Sequence, residues 1–153
     1  MRNFYKYFPG DPMKLAIRLA EFADSKGEIP VGCVIIDQKK KLVSYASNLT
    51  ENSFDPAGHA EIIAIRKACK KLKTTKLKNF SLYVTLEPCQ MCQALIIGTG
   101  IKKVFFGAHS ENFLIHKNKL RNYFGKQKDY EYLGGFHEEY CSKLIKRSFE
   151  KRR

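Results

Sequence analysis

The chain alternates between segments with helical and strand-like spacing of apolar residues. One stripe at helical spacing begins after Asp11 and Pro12 and ends before Gly27. Its members are Met13, Ala16, Ile17, Ala20 and Ala23. Aspartate suits the N-cap of a helix, proline suits its first turn, and glycine commonly follows its last residue. These signals predict a first helix with a buried apolar face.

Short apolar runs bounded by turn residues predict the strands. They cover residues 31–36, 42–46, 81–86, 103–107 and 130–133. Further segments with helical periodicity cover residues 59–70, 88–97 and 138–151. The predicted apolar side of the last helix consists of Tyr140, Cys141, Leu144, Ile145 and Phe149.

The order of these elements predicts a mixed α/β sheet. Strands connected through helices favour parallel pairing, with helices on both faces of the sheet. A short charged turn joins 31–36 to 42–46, so these two segments add one antiparallel hairpin. Residues 109–129 are polar and basic, and predict no more than one short helix. We therefore expect a largely parallel sheet in one α/β domain spanning residues 1–153.

The net charge adds a functional expectation to this fold. The chain has 28 Lys and Arg against 15 Asp and Glu, which gives a formal net charge of +13. Such an excess favours a polyanionic partner, most simply a nucleic acid, although basic residues also serve solubility alone. No N-terminal apolar run typical of a signal peptide is present, and no run approaches the ~20 residues that span a bilayer. A cytoplasmic location is therefore expected.

Two short motifs bring together groups that bind a metal and move protons. His59-Ala60-Glu61 begins one predicted helix, and Pro88-Cys89-Gln90-Met91-Cys92 follows a strand and opens another. Cys89 and Cys92 are three residues apart, which places both sulfurs on one side of a first helical turn, where the helix dipole favours thiolates. His59 would complete a set of three zinc ligands, leaving the fourth position for a water whose pKa zinc lowers towards ~7. Glu61 can then move protons without being a ligand.

Either motif alone has other interpretations. A single C-x-x-C is often redox-active or structural, and a single His-x-Glu carries little information. A non-enzymatic, zinc-stabilised RNA-binding module is a further alternative, which requires a fourth protein ligand. The candidates for that ligand are His109, His116, His137 and Cys141. The occurrence of both motifs, in this order and at helix starts, favours the catalytic site; this combination is the signature of zinc nucleobase deaminases.

The residues around both motifs resemble the cytidine deaminase superfamily and, within it, the bacterial tRNA-specific adenosine deaminases. The similar stretches are GEIPVG at 27–32, Asn48 with Glu51, DPAGHAEI at 55–62, LYVTLEPCQMC at 82–92, VFFGA at 104–108 and SFEKRR at 148–153. The resemblance implies a three-layer α/β/α sandwich around a five-stranded mixed sheet. It also implies a homodimer with one zinc ion per subunit.

The resemblance assigns a role to each candidate site residue. His59, Cys89 and Cys92 would hold zinc, Glu61 would be the catalytic proton shuttle, and Asn48 would contact the nucleoside. The implied substrate is the wobble adenosine of a tRNA anticodon, which would be converted to inosine. A zinc deaminase of a free base or nucleotide, such as guanine, cytosine or deoxycytidylate, is the alternative within the same superfamily.

The segment from 109 to about 125 departs from the family pattern, which concerns the RNA contacts rather than the zinc site. Basic residues in 117–128 and in the last helix are candidates for tRNA phosphate contacts, or for a solvated surface. Tyr5, Tyr7 and Phe8 could stack on bases or pack on the core.

Overall fold

Five strands and four helices make up the part of the chain that the computed structural model describes, residues 10–110 and 130–152. The helices are α1 Pro12–Ser25, α2 Ala60–Leu72, α3 Gln90–Thr99 and α4 Glu138–Lys151. The strands are β1 Gly32–Ile36, β2 Leu42–Ser47, β3 Ser81–Leu86, β4 Lys103–Ala108 and β5 Glu131–Leu133. Some predicted features lie outside the described residues. They are the short helix predicted within 109–129, of which only His109 and Ser110 are described, the basic segment 117–128, and the aromatic residues Tyr5, Tyr7 and Phe8.

The sheet is mixed, as predicted, but the expectation that it is largely parallel is wrong. Its strand order is β2-β1-β3-β4-β5. β1 pairs antiparallel with both β2 and β3, whereas β3–β4 and β4–β5 are parallel. After α2 the chain re-enters the sheet as β3, which runs in the same direction as β2 but lies on the other side of β1. β1 is therefore antiparallel to both of its neighbours.

The helices cover both faces of the sheet, which gives three layers. α1 and α4 pack on one face, where Leu15, Leu19 and Leu144 are buried against Val34. α2 and α3 pack on the other, where Ile65 and other apolar residues cover the sheet. The expected α/β/α sandwich is thereby confirmed.

The predicted start of α1 is confirmed at atomic level. The Asp11 carboxylate accepts hydrogen bonds from the backbone N–H groups of Met13 and Lys14, and Pro12 occupies the first turn. Gly27 follows the helix with a φ of +78°, a left-handed conformation that glycine adopts without strain. No helix among the described residues has the length and apolar character needed to cross a membrane.

The prediction that Tyr140 belongs to the apolar, buried side of α4 is wrong. Tyr140 is 47% exposed, and its hydroxyl donates to the carboxylate of Glu21 on α1. The buried side instead includes Ser148, together with Cys141 and Ile145. Cys141 packs directly over Gly107 of β4, where an added Cβ would lie only 2.6 Å from the sulfur. The close approach of α4 to β4 therefore favours small residues at the contact and leaves the large tyrosine at the rim.

Candidate active site

His59, Cys89 and Cys92 converge at one point, although His59 and Cys89 are 30 positions apart in the sequence. Their ligand atoms all lie within 4.8 Å of one another. The Nδ1 atom of His59 is 3.5 Å from each of the two sulfur atoms. Cys92 is buried, and the other two side chains are partly exposed. The sequence-predicted ligand set is therefore brought together by the fold.

Two helix N-termini bring these three side chains together. His59 is the N-cap residue of α2 and Cys89 is the N-cap residue of α3, while Cys92 lies in the first turn of α3. The His59 side chain makes no capping hydrogen bond to α2, and both N-cap side chains face the centre between the two helices. The positive ends of both helix dipoles favour negative charge at this point. α3 starts at Gln90 rather than at the predicted Pro88, which leaves Cys89 in extended backbone.

The cysteine and histidine groups perturb each other's pKa values. Hydrogen bonds from Cys92 and His59 outweigh burial and lower the pKa of the Cys89 thiol to about 4. The same hydrogen bond between the sulfurs, together with burial, raises the pKa of Cys92. The contact with Cys89 raises the pKa of His59. A thiolate is thus favoured at Cys89, as metal ligation requires.

The donor set and its spacing fit zinc. Thiolate and imidazole are preferred zinc ligands, with Zn–S near 2.3 Å and Zn–N near 2.0–2.1 Å; in a tetrahedron the two donor types then lie about 3.6 Å apart. The observed separation of 3.5 Å between Nδ1 and each sulfur agrees with that value. His59, Cys89 and Cys92 therefore form a group that could bind one zinc ion.

No fourth His, Cys, Asp or Glu joins this group among residues 10–110 and 130–152. Of the alternative ligands, His109 contacts Glu138 at 2.7 Å, and Cys141 is buried against Gly107. His116 lies outside the described residues. The geometry thus favours a three-ligand centre over the closed, four-ligand centre of a structural zinc module.

Glu61 occupies the first turn of α2, two residues after His59. Its side chain is 4% exposed, and it lines the same cavity as His59 and Cys89. Burial, reinforced by the nearby Cys89 charge, raises the pKa of Glu61 to about 7. A carboxyl group in that range can both accept and donate a proton near neutral pH. Its placement suits the predicted proton shuttle.

The cavity in front of these groups has a volume of about 380 Å³, within the range of small-molecule sites. Its walls are mainly apolar, with a few polar groups near the cysteines and Glu61. The lining residues that sequence reasoning missed include Ile29, Leu86, Ser110 and Phe149. Ile29, Leu86 and Phe149 lie in stretches that resemble the family, but their spacing in sequence does not show that they meet at one cavity, and Ser110 lies outside those stretches. A cavity of this size and lining suits a single nucleobase or nucleoside.

Asn48 follows β2 and faces this cavity. It is 6% exposed, and its side-chain N–H group donates to the carboxylate of Glu28 at 3.3 Å and to Thr50 at 3.4 Å. Because a carboxylate only accepts, this contact fixes which way the amide faces. No described residue donates to the amide oxygen of Asn48. That oxygen is therefore available to accept a hydrogen bond from a ligand.

Glu28 is a buried carboxylate that sequence reasoning did not single out, although it lies within the GEIPVG stretch. It accepts hydrogen bonds from the backbone N–H groups of Thr50, Glu51 and Asn52, and from the side chains of Asn48, Thr50 and Asn52. Burial raises the pKa of Glu28, but these donors outweigh it and lower the pKa to about 2. Glu28 therefore holds the segment that carries Asn48 against the cavity.

Because the folded-state pKa of Glu28 lies below the ordinary value of 4.5, ionised Glu28 stabilises the fold above that pH. This stabilisation, about 3 kcal/mol, is lost as the pH falls from about 4.5 to about 2. We expect Glu28→Gln to lower the free energy of unfolding and to remove this acid dependence. Urea unfolding between pH 6 and pH 3, with a chelator present, measures it. Identical pH dependence in both proteins would contradict the assignment.

A second buried carboxylate supports the opposite wall of the cavity. Glu87 accepts hydrogen bonds from the backbone N–H and the hydroxyl of Ser110, at 3.1 Å and 2.9 Å. It also accepts from the hydroxyl of Tyr132, at 3.2 Å. These contacts join the segment before Cys89 to Ser110, just after β4, and to Tyr132 in β5. Glu28 and Glu87 thus fix the two sides of the candidate site.

Taken together, the α/β/α sandwich, the His–Cys–Cys centre and the adjacent buried carboxylate define a zinc-dependent deaminase of nucleobases. The model of the family described as "Cytidine and deoxycytidylate deaminase zinc-binding region" matches residues 10–108. The chain belongs to this family.

Individual relatives and solved structures show which members of this family the chain is similar to. The chain is 39% identical over 143 residues to the tRNA-specific adenosine deaminase of Rickettsia bellii, a match covering 91% of this chain and 98% of that protein. A solved structure from a study of A-to-I editing by tRNA:A34 deaminases gives a TM-score of 0.75 at 29% identity, covering 87% of this chain and 97% of that chain. A guanine deaminase from Bacillus subtilis gives a TM-score of 0.64 at 28% identity, covering 90% of this chain and 92% of that chain.

Proposed function

We propose that this protein deaminates adenosine to inosine at the wobble position of a tRNA anticodon. The observation that carries the proposal is the three-ligand centre beside buried Glu61, in a cavity sized for a nucleoside. The similarity to tRNA-specific adenosine deaminases over nearly the whole chain supports adenosine in tRNA as the substrate. The net charge of +13 suits a polyanionic substrate.

In this proposal His59, Cys89 and Cys92 hold one zinc ion. When bound there, zinc supplies a Lewis acid that activates water for attack on the base. Asn48 directs its amide oxygen at the nucleoside, while the apolar walls around Phe149 exclude bulk water. An anticodon loop already exposes its bases, so the adenine enters the cavity at a lower cost than a base paired in a duplex.

Glu61 carries the proton transfers. Its carboxylate accepts a proton from the attacking water and delivers it to N1 of the adenine, as oxygen bonds to C6. It then takes the remaining proton from the new hydroxyl at C6 and transfers it to the amino nitrogen, and the C–N bond breaks to release ammonia as the C6 carbonyl forms. The products are inosine and ammonia, with one water consumed. A single carboxylate that acts as base and then as acid suits a cavity with little water.

Sequencing of a tRNA after incubation with the purified protein tests the substrate. We expect adenosine at the first anticodon position to be read as guanosine, because inosine pairs with cytosine. Adenosines elsewhere in the same tRNA serve as internal controls and should remain unchanged. Unaltered wobble adenosine under conditions in which the protein releases ammonia from a free base would contradict the proposal.

A deaminase acting on free guanine is the second candidate, favoured by the structural similarity to the Bacillus subtilis guanine deaminase. Ammonia release from guanine, cytosine and deoxycytidylate, measured beside tRNA, separates the two activities. The basic surface and the higher identity to tRNA-specific enzymes favour tRNA.

The homodimer implied by the resemblance stays a prediction, which analytical ultracentrifugation checks, and so does the cytoplasmic location.

The basic residues of α4 also have contacts within the protein. Arg147 and Lys151 contact Asp24 at 3.5 Å and 3.3 Å, and Arg152 donates to the carbonyl oxygen of Gly27 at 2.6 Å. These three residues therefore hold α4 against α1, and their role as tRNA contacts stays a prediction.

A further inference from the structure

The end of the sheet opposite the candidate active site is strongly basic. Ile36, Ser81, Lys103 and Glu131 are in register there, at the end of β1 and the starts of β3, β4 and β5. The candidate active site lies at the other end of β3, beside Leu86. Leu86 lies five residue steps beyond Ser81 along the extended strand, a distance of about 17 Å. The basic end is therefore distinct from the cavity that holds the zinc ligands.

The charged residues at this end lie in the β1–β2, α2–β3 and α3–β4 connections and at the starts of β4 and β5. They include eight lysines, namely Lys39, Lys40, Lys41, Lys73, Lys76, Lys78, Lys102 and Lys103. Among the described residues at this end the acidic ones are Asp37 and Glu131, and Glu131 pairs with Lys103 at 3.9 Å. Asp37 accepts hydrogen bonds from the backbone N–H groups of Lys39 and Lys41, so its carboxylate serves the turn. The excess of positive charge is therefore largely uncompensated by neighbouring carboxylates.

Other parts of the surface are more evenly balanced. The helices α1 and α4, with their capping residues, carry eight basic and six acidic residues. Several of these form pairs, such as Arg18 with Glu21 and Lys143 with Glu139. The concentration of unbalanced lysines at one end of the sheet is therefore not a uniform consequence of the basic composition.

These lysines border a groove with aromatic residues in its lining. We call it the lysine groove; it has a volume of about 540 Å³. Lys40, Lys78, Lys102 and Lys103 line it, together with Phe80, Tyr83 and Phe105. The rings of Tyr83 and Phe105 lie 4.9 Å apart between centroids, and both side chains are partly exposed. Positive side chains around partly exposed aromatic rings are the combination that tracks a nucleic-acid backbone and contacts its bases.

We propose that the lysine groove is a second RNA-binding surface, which contacts the substrate RNA away from the nucleotide in the active site. The groove lies too far from the zinc ligands to touch the reacting base. It therefore adds affinity through phosphate contacts without taking part in catalysis. That the bound RNA is a tRNA rests on the proposed function, whereas RNA binding by the groove does not.

Neutralising the groove tests the proposal. In the groove variant, Lys40, Lys78, Lys102 and Lys103 are all replaced by glutamine. Fluorescence anisotropy with a labelled tRNA transcript, at several salt concentrations, measures the Kd. If all four lysines contact phosphates, the slope of log affinity against log salt becomes shallower by about 3, and the Kd rises at least ~10-fold near 0.1 M salt. The kcat at saturating tRNA should stay within about twofold.

A matched variant separates the effect of losing the groove lysines from the effect of lowering the net charge of the protein. It replaces Lys14, Arg18, Arg66 and Lys70, which lie on exposed helix faces, with glutamine, and so removes the same total charge. We expect this variant to bind tRNA with a salt slope closer to that of the unmodified protein. Thermal unfolding and zinc content of both variants establish that the fold is kept.

Two outcomes overturn the proposal. Equal losses of affinity and equal salt slopes in the two variants would make the lysines a solvated surface. Loss of binding to phosphatidylserine vesicles, with tRNA binding unchanged, would assign the groove to a membrane surface instead. A protein that fails to deaminate tRNA, but whose RNA affinity still depends on the groove, would remove the proposed function and keep this inference.

Discussion

Replacing Glu61 with glutamine is expected to lower kcat for tRNA deamination by on the order of 10³-fold, within the range of a lost general acid–base. The glutamine amide keeps nearly the same shape, so the 4% exposed position remains filled and α2 keeps its first turn. It cannot accept the proton of the attacking water, nor deliver protons to N1 and to the leaving amino group. Single-turnover assays with tRNA and an excess of enzyme measure the chemical step separately from RNA binding.

Metal content and RNA affinity decide how this loss is interpreted. Zinc content near one ion per chain and an unchanged tRNA Kd would place the defect in the chemical step. The matched control is Glu139→Gln, a carboxylate on the exposed side of α4 that pairs with Lys143, and we expect it to keep full activity. Activity of Glu61→Gln within tenfold of the unmodified protein would remove Glu61 from the proposed mechanism.

Local patterns predicted elements that have strong boundaries. The bounds of β3 and α4 agree with the predicted segments 81–86 and 138–151, because turn residues and clear periodicity bound both. The position of β1 between β2 and β3 was not predicted, since it depends on which side of the hairpin the α2 crossover returns. Tyr140 was misplaced for a related reason, because its exposure depends on how closely α4 approaches Gly107.

The candidate site likewise contains some residues that the sequence predicted and others that it could not predict. The sequence predicted that His59, Cys89 and Cys92 meet, since each motif begins a helix and one metal needs all three donors. Glu28 and Phe149 could not be predicted from spacing, because each reaches the site only through long-range packing. Motifs therefore identify the groups that react, whereas the fold determines the groups that orient and enclose them.

Replacing either cysteine of the centre is expected to abolish zinc binding and activity together. Cys89→Ser and Cys92→Ser each substitute a neutral hydroxyl for a thiolate, which zinc prefers strongly as a ligand. Because the remaining two donors cannot complete the set, we expect zinc content well below 0.1 ion per chain and no detectable inosine. Atomic emission measures the metal. Cobalt substitution gives a second readout, since sulfur-to-cobalt charge-transfer absorption should be weakened or lost in both variants.

Cys69→Ser is the matched control for these two variants. Cys69 lies on α2, is partly exposed and is not part of the His–Cys–Cys group, so its replacement should leave zinc, cobalt absorption and activity unchanged. Full zinc content in Cys89→Ser or Cys92→Ser would contradict the assigned ligands. Zinc lost together with folding would leave the ligand set ambiguous, but His59→Cys resolves this case. That variant keeps three donors of a kind that zinc accepts, and it should bind the metal while the cobalt spectrum gains a third sulfur ligand.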